Sequence, residues 1–450
     1  MEHAPRHAAR RARICYGRRV RGREQLKATA LEIYRAGLDV ADPGAAVARF
    51  AGALAVERFD RIVVVGAGKA GARMAQALEE GLGAGRIEEG LVVVKRGHAL
   101  PTERIRIVEA GHPVPNAAGL AAAQHMLRML DGLDERTLVL CLLSGGASAL
   151  LAAPAAGVTL EDQQRVTEGL LASGADIAEI NAVRKHLSAI HGGLLARRAA
   201  PATVISVVVS DVVGDRLDVI ASGPTVPDPT THGDARDVLV RRGLWDTAPA
   251  RVREHLEAGT RGEREETPKP GDPCFAAATA AIAVSNGDAL RASAERAQQL
   301  GFTTQVLSST LEGEARRAGE VLAAAGRHAR RSAPVCLLWG GETTVTLGPT
   351  HGLGGRNQEL ALSAAVALEG ETGVLLLSAG TDGTDGPTDA AGAFADGSTV
   401  SRAAALGMSA RAHLEAHDAH PFFERIRDLL VTGPTGTNVM DVQVLLVDTH

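Results

Sequence analysis

The chain has 450 residues, enough for two domains rather than one ordinary core. Aromatic residues make up 2% of it and the net charge is −5. That excludes base-stacking nucleic-acid modules and bulk attraction to nucleic acid or anionic membranes.

Residues 1–23 carry eight Arg against one Glu and no apolar stretch. They are therefore expected to be a disordered basic leader, not a secretory signal. Helices over "REQLKATALEIYRAGL" and "PGAAVARFAGAL" follow, with Asp42 as cap and Pro43 in the first turn. "RIVVVGAGKAGARMAQALEEGL" reads as strand, glycine turn and helix, and "GLVVVK" and "IRIVEAG" as further strands. The uncharged run 137–160, "TLVLCLLSGGASALLAAPAAGVTL", is long enough to span a membrane. Its Ser-Gly-Gly and its proline favour a buried strand, a tight turn and a short helix instead. "ATVISVVVSDVVGD" adds another strand. Short Val-rich strands alternating with helices predict an α/β fold with a doubly wound, mostly parallel sheet.

Residues 222–275 are proline-rich and charged, which puts a domain boundary at 272/273. The first domain then covers 24–272 and a second, smaller α/β domain 273–450. In the second, strands are predicted in "AAIAVSN", "TTQVLSS", "PVCLLWGGETTVTL", "GVLLLSAGTDG" and "DVQVLLV", with a helix over 358–368. Cys15, Cys141, Cys274 and Cys336 lack CxxC spacing and read as free thiols, with no structural zinc. His112 and His186 read as structural or loop residues, and Arg184 with Lys185 as a solvated helix face.

Five strand ends run into glycine-rich or acidic turns: Gly66–Gly71, Ser144–Ser148, Ser210–Asp215, Gly340–Glu342 and Ser378–Gly386. Ligands of open α/β sheets sit outside such strand ends, so a polar site shared by both domains is expected. "GAGKAG" matches G-x-G-x-x-G, but the next strand ends in Lys95 and Arg96 rather than an acid. That disfavours NAD and leaves NADP open. Lys69 inside the turn makes an anion site with the backbone amides, unless it is merely exposed on a packing turn. Ser144, Gly145, Gly146 and Ser148 form a phosphate-sized cradle. Asp211 ends a strand where a carboxylate can orient a substrate hydroxyl, or simply cap a loop. Asp382, Asp385 and Asp389 lie among glycines, which suits a Mg2+ platform or a solvated loop. Arg356 opens a helix, where the dipole disfavours a cation unless an anion visits. Asn357 and Gln358 offer further donors, and Glu359 a bond back to the loop.

The stretches "VVGAGKA", "GHPVPN", "LLSGGASALL", "INAVRKHLS", "VVSDVVGD", "IASGPT", "GGETTV", "GGRNQE", "SAGTDGTDGPTDAAGA" and "GPTGTNVMD" together resemble the glycerate kinase family that forms 2-phosphoglycerate. The carboxy-terminal part of that family bears the name MOFRL, and the resemblance covers roughly residues 24–448. It implies two α/β domains, the first Rossmann-like, with the active site in the cleft. It also implies ATP- and Mg2+-dependent transfer of the γ-phosphoryl group to the 2-hydroxyl of D-glycerate. The family's active-site lysine and arginine fall on Lys69 and Arg356.

On this reading Lys69 and the amides around Gly66 and Gly68 hold phosphate oxygens or the glycerate carboxylate. Arg356 stabilises charge on the transferring group, and Asp211 orients or deprotonates the hydroxyl. Asp382, Asp385 and Glu342 place Mg2+. Ser144, Gly145, Gly146, Ser148 and Asn357 contact substrate or phosphate. The expected partners are D-glycerate and ATP, with no nucleic acid, no membrane and at most a second copy in a homodimer, in the cytoplasm. An NADP-linked hydroxypyruvate reductase is the alternative enzyme, and a non-catalytic ligand-binding regulator the alternative class.

Overall fold

Near-continuous apolar runs such as "RIVVVGA" and "TLVLCLL" can only be buried on both faces, and they form a parallel sheet. The protein, described here by a computed structural model, is defined over residues 21–329 and 333–448. Cys15 and residues 1–20 of the basic leader lie outside the described residues. The first sheet contains β1 (Arg61–Ala67), β2 (Glu89–Lys95), β3 (Ile105–Ala110), β4 (Thr137–Leu143), β5 (Thr203–Val209) and β6 (Ala278–Val284). Its order is β3-β2-β1-β4-β5-β6, with every neighbouring pair parallel. Helices cover both faces. Ala122, Met126 and Leu130 pack on one, Val47, Met74 and Leu78 on the other. The chain leaves β1 toward β2 and β3, then returns to β4 on the other side. A crevice therefore opens at the carboxyl ends of β1 and β4.

The second sheet contains β7 (Thr303–Leu311), β8 (Val335–Gly341), β9 (Val374–Gly380), β10 (Gly392–Asp396), β11 (Leu429–Leu430) and β12 (Asp441–Val447). Its order is β11-β10-β9-β12-β8-β7. It is mixed: β12 runs antiparallel to β8 and β9, and β10 antiparallel to β9 and β11. The register sets Asp441, the first residue of β12, between Gly341 and Gly380. The short strand "GAFAD" lay inside what reads as an acidic loop and its sequel, and was not expected.

The division at 272/273 does not coincide with the division between the sheets. β6 pairs with β5, so the first sheet ends beyond the proline-rich stretch. The helix Arg23–Val40 crosses the other way. Its Leu26, Ala30, Ile33 and Tyr34 pack among Leu375, Leu377, Val442 and Val444 of the second sheet. Arg23, assigned to the leader, opens that helix and bonds Asp396 (2.7 Å) and Asp428 (2.6 Å), while Arg21 bonds Asp448 (3.0 Å). Asp42 caps the next helix, Pro43–Ala53, by accepting from the Gly44 amide at 2.8 Å. Among the described residues no helix is long and apolar enough to cross a membrane. The uncharged run instead forms β4, a turn and the short helix Ala147–Leu150.

Candidate active site

Two turns interlock at the carboxyl ends of β1 and β4. The Gly68 amide donates to Val93 O (3.0 Å), that of Lys69 to Gly145 O (2.8 Å), and that of Gly71 to Gly68 O (3.1 Å). The Ala70 amide donates to Ser144 Oγ (3.1 Å). Gly68 has φ +138°, and a Cβ there would collide with Ser144 Oγ, as one on Gly66 would with the Leu142 carbonyl. The glycines therefore let two backbones touch, and the amides from Gly68 to Gly71 are consumed inside the protein. Gly66, Gly68 and Ser144 were expected to meet a ligand; the structure uses them to brace the turn, with Ser144 buried beneath it. The turn presents a ligand with the half-buried Lys69 side chain, which forms no ion pair among the described residues. Gly145 is buried too, because Asp211 packs where its Cβ would stand.

A cleft of ≈ 1040 Å³ separates the two sheets. His112, Gly146, Ser148, Arg184 and Asp211 line it from the first domain, and Glu342, Gly355 and Arg356 from the second. Burial pushes the Asp211 carboxyl up to about 6, against the pull of Lys69 and with a further push from Glu342 across the cleft. Burial also raises Glu342, opposed first by Arg356 and later by Lys69. His112 is lowered to about 4, by burial first and then by Lys69, so it is neutral at pH 7. Lys69 thus lies within electrostatic reach of carboxylates from both domains.

Arg356 is held in place. Its Nε and Nη2 grip Asp441 at 2.6 and 2.9 Å, and its Nη1 bonds Glu342 at 2.6 Å. Asp441 is fully buried, and a third carboxylate, Asp382, adds to the charge felt by Glu342. Behind Asp441, the buried Tyr34 hydroxyl donates to Gly380 O at 2.7 Å. The remaining polar residues of "GRNQE" face inward. Asp385 accepts from the Asn357 and Gln358 amides at 3.1 and 2.9 Å, capping the helix Arg356–Ala367. The Gln358 side chain also bonds Asp385 (3.0 Å), and Asn357 Oδ1 accepts from Ser378 (2.7 Å). Glu359 pairs with Arg316 and with His417, the latter at 3.1 Å, rather than with the loop.

The structure therefore gathers Asp211, Glu342, Arg356, Gly146 and Ser148 around the cleft, with Lys69 beside it, near enough to act on Asp211, Glu342 and His112. It leaves Asn357 and Asp385 as internal supports. Asp382 is bonded to the Thr384 amide (3.0 Å), beside Glu342 rather than beside a free Asp385. Among the described residues Glu342, Asp382 and Asp385 form no three-ligand metal cage. Ligand atoms of His186, His232 and Glu266 do come within 4.8 Å of one another. That knot is already supplied with charge, since Lys269 Nζ lies 3.2 Å from Glu266.

Three residues escaped the sequence reading. Asp441 ends "GPTGTNVMD" and looked like any strand-opening acid. Arg184 sits in an Arg-Lys-His run that mimics a solvated face. In fact its helix, Ile177–His186, is buried at Ile180, Asn181, Ala182, Val183, Lys185 and His186. Tyr34 reaches Gly380 only through a chain crossing that no local pattern announces.

A family model described as a domain of unknown function, DUF4147, matches residues 29–257, and the MOFRL family model matches 335–441. The chain is 43% identical over 431 residues to the D-glycerate 2-kinase of Thermotoga maritima, covering 94% of this chain and 99% of that protein. It is 44% identical over 421 residues to an Agrobacterium vitis protein provisionally named a hydroxypyruvate reductase, covering 92% and 93%. The crystal structure of the Thermotoga maritima glycerate kinase superimposes with a TM-score of 0.86 at 42% identity, covering 94% of this chain and all of that one.

Proposed function

The chain belongs to the glycerate kinase family, and on that premise we propose that its cleft transfers the γ-phosphoryl group of ATP to the 2-hydroxyl of D-glycerate, giving 2-phosphoglycerate and ADP. The observation that carries this is Lys69, a cation without an ion-pair partner among the described residues, poised between Asp211 of its own domain and Glu342 of the other.

Asp211 is the proton acceptor. Its carboxyl, lifted to about 6, is ionised at pH 7 yet basic enough to take a proton. As the 2-hydroxyl oxygen bonds to the γ-phosphorus, its proton passes to Asp211. The bond from the γ-phosphorus to the bridging oxygen breaks, and the electron pair leaves with ADP. Lys69 and Arg356 flank the transferring group and offset its charge. Gly146 and Ser148 line the cleft where substrate oxygens need donors.

The donor set fits a divalent cation. Glu342 and Asp441 hold one guanidinium and Asp382 acts on Glu342 beside them, and magnesium commonly takes one or two carboxylates together with substrate phosphates. Glu342 and Asp382 would hold it, while Asp385 is occupied by the helix cap. When bound, the ion neutralises charge on the nucleotide's phosphates. The free thiols of Cys141, Cys274 and Cys336 suit the reducing cytoplasm.

Phosphorus NMR of the protein with ATP, Mg2+ and D-glycerate tests the reading. A 2-phosphate product supports it; a 3-phosphate, or no transfer, refutes it. The reductase alternative lacks physical support, because the amides that would cradle a pyrophosphate are already bonded. NADPH oxidation with hydroxypyruvate should stay at background.

A further inference from the structure

Three consecutive cationic or ionisable residues end the helix Ile177–His186, and they are not treated alike. Lys185 is buried against Asp228 (3.1 Å), and His186 lies 3.2 Å from Glu266. Arg184 faces the cleft and forms no ion pair among the described residues. Burial alone draws its pKa down, to about 10, so it stays charged at neutral pH. A desolvated cation without a counter-ion is unfavourable unless a ligand supplies one.

The side chain is nonetheless firmly placed. Nη1 donates to Asn181 Oδ1 (3.0 Å) and to Ser222 Oγ (3.4 Å). Ser222 Oγ in turn lies 2.8 Å from Asn181 Oδ1 and 2.9 Å from Ser148 Oγ, which lines the cleft. The backbone that delivers Ser222 is left-handed at two non-glycine residues, Ala221 (φ 53°) and Ser222 (φ 56°). Such conformations persist where the surroundings enforce them, and they cluster at ligand sites. Nε and Nη2 of Arg184 carry no hydrogen bond among the described residues. They form the two-pronged edge that matches a carboxylate.

The walls of the cleft differ in sign. On the second domain Glu312, Glu342 and Glu359 outnumber Arg356, which suits a nucleotide that arrives with a divalent cation. On the first, Arg184 and Arg216 line the cleft with Lys69 close behind, against the single carboxylate of Asp211, and His112 is neutral. An anion carrying no metal belongs there. We propose that Arg184 binds the carboxylate of the acceptor and so restricts the enzyme to small 2-hydroxy carboxylates. This rests on the kinase reading given above.

Steady-state kinetics of full-length Arg184→Gln and Arg184→Lys, with D-glycerate, glycerol and ATP varied in turn, tests it. The Gln variant should raise the KM for D-glycerate by about 10- to 100-fold, as expected for a lost charged hydrogen bond, and leave the KM for ATP unchanged. Its preference for D-glycerate over glycerol, which has no carboxylate, should fall by a similar factor, and the Lys variant should recover part of both. A raised KM for ATP with an unchanged KM for D-glycerate would reassign Arg184 to the nucleotide and overturn the proposal, as would no change in either. Calorimetric titration of D-glycerate without nucleotide separates the two readings. If the wild type binds D-glycerate through Arg184 but transfers no phosphoryl group, the kinase reading fails and the carboxylate site stands. If wild type and Gln variant bind equally, or neither binds, the site falls. Should the Gln variant not fold, the same titration with Arg184→Lys decides, a weakened affinity being the expected result and an unchanged one the contrary.

Discussion

Lys69 and Arg356 both act on Glu342 from opposite domains, but only one of them is held. Arg356 has three of its nitrogens bound to Asp441 and Glu342, and its charge is largely offset before any ligand arrives. Lys69 hangs from a turn whose backbone is rigidly bonded while its ammonium has no ion-pair partner among the described residues. The difference separates two ways of using a cation. A clamped guanidinium contributes fixed geometry, and removing it strands a buried acid. A free ammonium contributes net attraction, and removing it disturbs nothing in the fold.

The largest expected effect contrasts the two directly. Lys69→Ala should lower kcat by about 10²–10³-fold and leave the thermal midpoint where it was. Arg356→Ala should cost a comparable factor and also destabilise the fold by about 3 kcal/mol, because the fully buried Asp441 loses its partner. Equal losses of stability in the two variants, read from denaturant melts, would erase the distinction.

A smaller effect concerns the acid between them. With Asp211 as base and its carboxyl near 6, kcat/KM should fall as pH drops below 6, and Asp211→Asn should remove that limb and about 10²-fold of the rate. Asp211 and Asp385 are both raised from 3.8 to about 6 in the fold, so the folded state holds these protons more tightly than the unfolded chain. Their contribution to stability is therefore full below about pH 4 and lost as pH rises through 6. Acid loss of activity should then come without a falling melting temperature between pH 7 and 5; a matching drop in both would trace the limb to unfolding. The smallest effect tests the support behind the clamp. Tyr34→Phe removes the bond to Gly380 and should cost about 1 kcal/mol in the melt with kcat little changed.

The parallel sheet was legible because apolar runs such as "TLVLCLL" admit no other burial, and the caps at Asp42 and Pro43 follow from local rules. Lys69 and Arg356 were legible as chemistry out of place: a lysine inside a glycine turn, an arginine at a helix start. What neighbours do to a residue was not. Asp385 reads as one of three loop acids, and only the fold turns its two oxygens onto the amides of Asn357 and Gln358. The amides around Gly66 and Gly68 read as an anion cradle, while the turn is packed against the Leu142 carbonyl and Ser144 and its amides from Gly68 to Gly71 are bonded inside the protein. Arg184 was misjudged because its helix is covered on more sides than its charged tail suggests.

The helix Arg23–Val40 has its seat on the sheet that the last strand completes. During synthesis it leaves the ribosome well before β12 and must wait, its Ile33 and Tyr34 uncovered, until that strand has been made. Severing the backbone at 272/273 would not release two self-sufficient halves: the amino-terminal piece would carry away the cover of the other's core and forfeit β6. The two pieces should therefore stay insoluble when produced apart and regain a shared, active particle only when made together.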